Sequence, residues 1–139
     1  MTNIEHRAGR RVVVPDVWSP FYEATHVPAA VIAGDRLTVT GHTGEVYGVF
    51  PDSAIAQLRQ TFRNIGLTLA EAGAGWADVV ELTSYNVGLR QQSDAMLMVA
   101  GEFLEEPYPA WTAVGVTELF EPEALVEVSC EAVLPAPRR

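Results

Sequence analysis

Lysine is missing from this sequence of 139 residues, so arginine supplies all nine of its cationic side chains, against eighteen Asp and Glu residues. The formal net charge at pH 7 is therefore −9. Proteins that bind nucleic acids need clustered Lys and Arg to neutralise phosphates. The composition argues against a nucleic-acid partner.

Cysteine occurs once, as Cys130, which excludes an internal disulfide and is consistent with a reducing cytoplasm. The three His residues are scattered, whereas zinc ligands are closely spaced. No apolar run approaches the roughly 20 residues of a membrane helix, and residues 1–11 lack the apolar segment of a signal peptide. We therefore expect a cytoplasmic protein with no metal, no cofactor and no membrane contact.

The sequence does have the composition of a folded protein, with 48% hydrophobic and 19% charged residues. Its length lies in the range of one domain with a core of its own. We expect a single domain over residues 1–139.

Short β-rich runs lie near the start of the chain. Residues 12–14 precede Pro15, which cannot donate within a ladder, and this predicts an edge strand. Residues 29–33 and 37–40 flank Gly34–Asp35, a pair typical of hairpin turns. The pattern predicts a hairpin here.

Apolar residues spaced three and four apart predict an amphipathic helix from about residues 51–53 to Gly73. Asp52 or Ser53 is expected to cap its N terminus. The apolar stripe consists of Ile55, Leu58, Phe62, Ile65, Leu69 and Ala72, and the polar surface of Gln57, Arg59, Gln60, Arg63 and Asn64.

A β-rich run over residues 79–87 predicts a strand. Ser93 or Asp94 is expected to cap a second helix that ends near Leu104. The middle of that helix, residues 95–100, is apolar, which predicts that it is substantially buried.

Residues 109–116 and 124–130 have the form of two final strands. The resulting order is three strands, a helix, a strand, a helix and two strands. This mixture predicts an α+β fold with a mixed sheet and two helices on one face. The other face then needs a cover, for which association of subunits is the natural candidate.

Seven short motifs carry a family resemblance. They are Gly34–Asp35, Thr40–Gly41–His42, Gln57…Asn64…Ala72–Gly73, Asp78–Val79–Val80, Pro109–Ala110, Gly115–Val116 and Val126–Glu127–Val128. Their order and spacing over roughly residues 30–133 resemble the Rid family, the YjgF-like proteins, which have Ser-Gly-Gln in place of the second motif. The resemblance implies a chorismate-mutase-like fold, a homotrimer whose sheets line a central barrel, and ligand clefts between subunits.

The resemblance also implies a hydrolase that deaminates imines or enamines. Well-studied members convert 2-imino or enamine acids to 2-keto acids and ammonia, and an Arg after Pro-Ala pairs bidentately with the substrate carboxylate. Trp111 stands at that position here, Ala113 replaces a frequent Cys, and Leu97 replaces a common pocket Asn. The chain therefore resembles an Arg-lacking branch. An endoribonuclease label carried by some relatives finds no support in the acidic composition.

Two residues are candidate catalytic groups. Glu127 matches a family site residue, and on a strand it faces opposite to Val126 and Val128. If it points into a cleft, desolvation would suit it to proton transfer or water activation; the alternative is a solvated strand carboxylate. His42 is expected in a loop over residues 41–44, either as an acid or base near neutral pH or as a surface residue.

Five further positions are candidates for substrate binding: Thr40, Arg90, Leu97, Trp111 and Thr112. Trp111 offers a flat apolar wall and an indole donor in a cleft, or it lies buried at a subunit interface. Arg90 follows the middle strand and is a candidate partner for a carboxylate.

Two functions are therefore considered. The first is hydrolysis or tautomerisation of an imine or enamine, with Glu127 positioning water and His42 carrying a proton, on a small metabolite that lies against Trp111. The second is a non-catalytic trimer that binds a metabolite or another protein. Loss of activity in Glu127→Gln with unchanged binding distinguishes the first from the second.

Overall fold

The computed structural model describes residues 3–6 and 9–136. The chain forms seven strands and three α-helices in this part. The strands are β1 (Asn3–His6), β2 (Arg10–Val13), β3 (Ala30–Ala33), β4 (Arg36–His42), β5 (Val79–Asn86), β6 (Ala110–Gly115) and β7 (Val126–Val133). The helices are α1 (Ser19–Thr25), α2 (Ala54–Glu71) and α3 (Leu89–Ala100), with single 3-10 turns at Asp16–Trp18 and Trp76–Asp78.

All seven strands belong to one mixed sheet in the order β1-β2-β3-β4-β7-β5-β6. Only β5 and β6 pair in parallel among these strands. The hairpin of β3 and β4 is confirmed, and its turn residue Gly34 has the positive φ of 66° that glycine tolerates best.

The prediction that residues 12–14 form an edge strand was wrong. Strand β2 pairs with β3 on one side and with β1 on the other, so β1 is the edge. Pro15 breaks no ladder because it lies beyond Val13, the last paired residue of β2. The polar run that forms β1 has no strand pattern that sequence reasoning could use.

Helix α2 confirms the longer predicted helix. The Ser53 hydroxyl accepts a hydrogen bond from the Ala56 amide at 3.2 Å and caps the N terminus, and Gly73 follows the C terminus with φ 82°. One detail was wrong: Gln57, expected on the polar surface, is buried at 3% exposure.

Helix α3 begins earlier than predicted. Its N-terminal boundary is Gly88, in the left-handed region, and Ser93 lies inside the helix with its hydroxyl donating to the Arg90 carbonyl. The helix also ends earlier, at Ala100, and it is not substantially buried, because Leu97 and Met98 are 68% and 55% exposed. An apolar stretch on a helix still has two sides, and only one of them packs here.

Helices α2 and α3 cover one face of the sheet, as predicted, and the core lies between them. It joins side chains such as Phe62 and Ile65 of α2 and Val99 of α3 to Leu82 and Val128 of the sheet. Helix α1 is an additional element that the sequence pattern did not predict. No helix in residues 3–6 and 9–136 is long and apolar enough to span a membrane.

The sheet face opposite α2 and α3, here called the open face, carries the alternate residues of each strand. Glu127 and Ser129 of β7 stand on it opposite Tyr85 and Thr83 of β5, while Val126 and Val128 point into the core. The expected orientation of Glu127 is therefore confirmed. The site described next begins from this side chain.

Candidate functional site

A cavity of about 460 Å³ lies at the end of β4, bounded by α1, by the loop after β4 and by the loop before β7. Its size lies within the range of small-molecule pockets. Thr40, His42 and Glu127, three of the predicted site residues, line it together. The sequence motifs from β4 and β7 therefore meet at one place.

Glu127 lies directly over Gly41. A Cβ atom on residue 41 would collide with the Glu127 carboxylate, so the glycine makes room for this side chain. The carboxylate is half-buried, and its desolvation raises the pKa of Glu127 above the ordinary value. No hydrogen bond from the described residues reaches it, so the carboxylate is free to interact with water or a ligand in the cavity.

His42 is not in an exposed loop as expected. It is the last residue of β4, is 2% exposed, and follows a β-bulge that turns it towards α2. Its Nδ1 donates to the Thr40 carbonyl at 2.6 Å, since that oxygen can only accept, and its Nε2 accepts from the Thr68 hydroxyl at 2.8 Å. Burial lowers the pKa of His42 to about 4.

These contacts argue against His42 as a proton carrier. At neutral pH the ring is uncharged, and both of its nitrogens are held by protein groups. Its face packs against Trp18 with the ring centroids 4.5 Å apart. His42 therefore supports the aromatic wall of the cavity and fixes the end of β4.

Three aromatic rings form that wall. Trp18 and Phe21 meet edge to face at 5.2 Å, and Phe21 meets Phe120 edge to face at 6.2 Å. The Trp18 indole donates to the Val27 carbonyl at 2.8 Å, which fixes its orientation. Sequence reasoning missed all three rings, although Pro20 in the first turn of α1 was an available signal for that helix.

Two buried or half-buried amides of α2 hold the loops that frame the cavity. Gln57 donates to the Pro51 and Glu123 carbonyls and accepts from the Leu125 amide at 2.9 Å, and so binds the loop before β7. Asn64 donates to the carbonyls of Thr43 and Glu45 at 2.8 and 2.9 Å, and so binds the loop after β4. These are the two amides of the family-like helix motif.

Replacing Gln57 by Leu is expected to lower the free energy of unfolding by about 2 kcal/mol, because buried backbone groups lose their partners. Chemical denaturation measures this change. The exposed Gln91→Leu on α3 is the control and is expected to stay within about 0.5 kcal/mol of the natural protein. Equal stability of the two variants would contradict the anchoring role of Gln57.

The remaining predicted residues lie elsewhere. Trp111, Arg90 and Leu97 line a second and more open cavity of about 460 Å³ between β6 and α3. Trp111 packs against the core, and its indole donates to the Ser84 hydroxyl at 3.0 Å. It is therefore on the sheet face opposite to Glu127 of the same chain.

Two threonines complete the set. Thr112 is exposed on β6 opposite Thr83 and lines neither cavity. Thr40 lines the first cavity, but its hydroxyl is already engaged, since it donates to the Pro28 carbonyl at 2.7 Å. No group of three or more His, Cys, Asp or Glu side chains in the described part of the chain is placed to hold a metal.

Comparison with known proteins gives consistent results. The profile of the family described as Endoribonuclease L-PSP matches residues 19–134. The RutC family protein YjgH of Escherichia coli K12 is 36% identical over 112 residues, which are 79% of this chain and 86% of that protein. A solved structure of protein YjgH has a TM-score of 0.85 at 32% identity, covering 94% of this chain and all of that one.

A further relative has a named activity. The 2-iminobutanoate/2-iminopropanoate deaminase of Dermatophagoides farinae is 30% identical over 125 residues, which are 88% of this chain and 91% of that protein. The family profile matches the chain from α1 to β7, which includes most of the residues that line both cavities, whereas Val17 and Trp18 precede the matched range.

Proposed function

Because the chain belongs to the Rid family of YjgF-like proteins, we propose that it hydrolyses or tautomerises an imine or enamine in the cavity over Gly41. The observation that carries this proposal is Glu127, a half-buried carboxylate without a protein partner among the described residues, whose pKa burial raises. A carboxylate of this kind, with a raised pKa and no protein partner, is suited to exchange a proton with water in the cavity.

The proposed hydrolysis uses Glu127 as its proton-transfer group. A water oxygen attacks the imine carbon, its proton passes to the Glu127 carboxylate, and the C=N π electrons move to nitrogen. Glu127 returns this proton to nitrogen, which gives a neutral carbinolamine. The Glu127 carboxylate then takes the hydroxyl proton of the carbinolamine and passes it to nitrogen as the C–N bond breaks, so that ammonia leaves and the carbonyl forms. For an enamine, protonation of carbon by the Glu127 carboxylic acid first gives the imine. His42 takes no part because its nitrogens are occupied.

The absence of the carboxylate-binding Arg sets the expected substrate range. Trp111 stands at its position, and its indole is bonded to Ser84. Simple 2-imino acids therefore lack the bidentate partner that a guanidinium provides. Poor turnover of these acids is part of the proposal.

The proposal includes a homotrimer with clefts between subunits. Edge strand β6 supports it, since Thr112, Ala113 and Val114 of that strand are exposed next to the second cavity. Contact between the second cavity of one copy and the first cavity of another would bring Trp111 to the ligand. The molar mass in solution, measured by light scattering, tests this arrangement.

Two matched imines test the proposed activity. An amine oxidase generates 2-phenylethylimine from phenylethylamine, and an amino-acid oxidase generates 2-imino-3-phenylpropanoate, which differs by its carboxylate. We expect the protein to accelerate ammonia release from the first and to act poorly on the second. Glu127→Gln should lower the acceleration at least about tenfold, since a neutral amide cannot take the proton.

The control is Glu118→Gln, which makes the same charge change on an exposed side chain outside the cavity. Unchanged kinetics in Glu127→Gln would remove Glu127 from the mechanism. Efficient turnover of the 2-imino acid by the natural protein, or equal activity of natural protein and Trp111→Arg on it, would contradict the role given to the missing Arg.

A non-catalytic binding protein is the second candidate. The observation that favours it is the fixed, neutral state of His42, which leaves no histidine free to share acid-base chemistry with Glu127 in the cavity. Ligand binding without acceleration of either imine would select this function.

A further inference from the structure

Every charged side chain that lines the first cavity is acidic. These are Glu45, Glu121 and Glu127, and the one histidine, His42, is neutral at pH 7. Glu45 is partly satisfied by the Gly48 amide at 2.9 Å, whereas no hydrogen bond from the described residues reaches the other two carboxylates. The cavity therefore presents negative charge to any ligand.

The described arginines lie away from this cavity. Arg10, Arg11 and Arg36 lie at the far end of the β2–β3–β4 ladder, because Arg36 begins β4 and the cavity lies at the end of that strand. On the helices, Arg59 is paired with Glu102 at 2.6 Å, and Arg90 lines the second cavity. Arg63 is exposed on α2, and its charge helps to lower the pKa of Glu102. No arginine in residues 9–136 lines the first cavity, and the chain has no lysine to replace one.

The aromatic wall, like the carboxylates, favours a cationic ligand. The face of an aromatic ring carries negative potential and attracts cations, and indole does so most strongly. Trp18, Phe21 and Phe120 present such rings around one volume, with Tyr47 at the mouth. An anionic ligand would be repelled by rings and carboxylates together, while a cation would be attracted by both.

We infer that the first cavity selects an organic nitrogen cation without a carboxylate: a quaternary ammonium, a protonated amine or a protonated imine. The cation lies against the rings of Trp18 and Phe120, and the carboxylates of Glu121 and Glu127 neutralise it. This deepens the proposed function by giving its substrate class, since a protonated imine is the more electrophilic form for water attack. The net charge of −9 also favours the approach of cations.

Three probes of the same shape test the inference by isothermal titration calorimetry. Choline carries the cation, 3,3-dimethylbutan-1-ol is its uncharged isostere, and 3,3-dimethylbutanoate carries the opposite charge. We expect choline to bind at least about tenfold more tightly than the alcohol, in line with cation–π and carboxylate contributions. The butanoate should bind most weakly.

Variants locate the binding. Glu121→Gln and Trp18→Leu should each weaken choline binding at least about threefold, while Glu118→Gln, outside the cavity, should change it less than about twofold. Equal affinity of choline and the alcohol, no binding of choline, tighter binding of the butanoate, or insensitivity to Glu121→Gln would each overturn the inference. Because the assay measures no turnover, choline selectivity without imine hydrolysis would preserve the inference and remove the proposed chemistry.

Discussion

Replacing Gly41 by Ala is expected to lower imine turnover about a hundredfold while the protein stays folded. The added Cβ occupies the space of the Glu127 carboxylate, so that side chain has to move out of its position. The obstructing atoms belong to the end of a flexible side chain, and Gly41 is not among the positive-φ residues, so the backbone accepts alanine. Misplacing a reacting group by about 1 Å suffices for a loss of this size.

Thermal unfolding tests whether Gly41→Ala stays folded, and the rate of 2-phenylethylimine turnover tests the loss of activity. Gly66→Ala is the matched control, because a Cβ there meets only the Trp76 Nε1 atom, at an ordinary 3.5 Å, and alanine suits the interior of α2. We expect this control to keep its activity and to gain up to about 1 kcal/mol in stability. Full activity of Gly41→Ala would show that the position of Glu127 does not matter.

Acid is expected to destabilise the fold through His42. Its pKa is about 4 in the folded protein against an ordinary value of 6.5, so the unfolded chain binds a proton that the folded chain resists. The stability that the neutral His42 contributes is therefore fully present above pH 6.5 and is lost as the pH falls towards 4. The shift corresponds to a loss of about 3 kcal/mol.

Urea unfolding at several pH values between 7 and 4 measures this loss. In His42→Gln, the part of the dependence of the unfolding free energy on pH that is due to the imidazole should disappear, whatever the absolute stability of the variant. Glu127 has the opposite effect on stability. Because burial raises its pKa, the protonated side chain favours the folded state at low pH, and its ionisation lowers the stability as the pH rises. A slope in His42→Gln equal to that of the natural protein would contradict the buried, neutral state of His42.

The periodicity of apolar residues was sufficient to predict those helices and strands that pack on one side only. The stripe from Ile55 to Leu69 predicted α2, and the alternation around Glu127 predicted which way its side chain points. The N terminus of α3 was predicted wrongly because serine is a favourable N-cap residue, which pointed to Ser93. The observed boundary depends instead on the left-handed conformation of Gly88. The local sequence does not show which of these two residues marks the start of the helix.

The candidate site was predictable only in part. Glu127, Thr40 and His42 meet because β4 and β7 are neighbours in the sheet, and the family resemblance already placed their motifs in order. The environment of His42 was not predictable, since its partner Thr68 is 26 residues away on α2. The grouping of Trp18 with Phe120 likewise depends on tertiary packing over about a hundred residues, which no local pattern records.

Both rims of the cavity are fastened to one helix. Gln57 and Asn64 are seven residues apart on α2, about 10 Å along its axis. Both hold the loop after β4, and Gln57 also holds the loop before β7. The helix thus sets the distance between these anchor points. The loop after β4 also packs closely on α2, because a Cβ atom on residue 44 would collide with the Gln57 backbone. We therefore expect ligands to be selected by their fit to a preformed shape more than by closure of the loops around them.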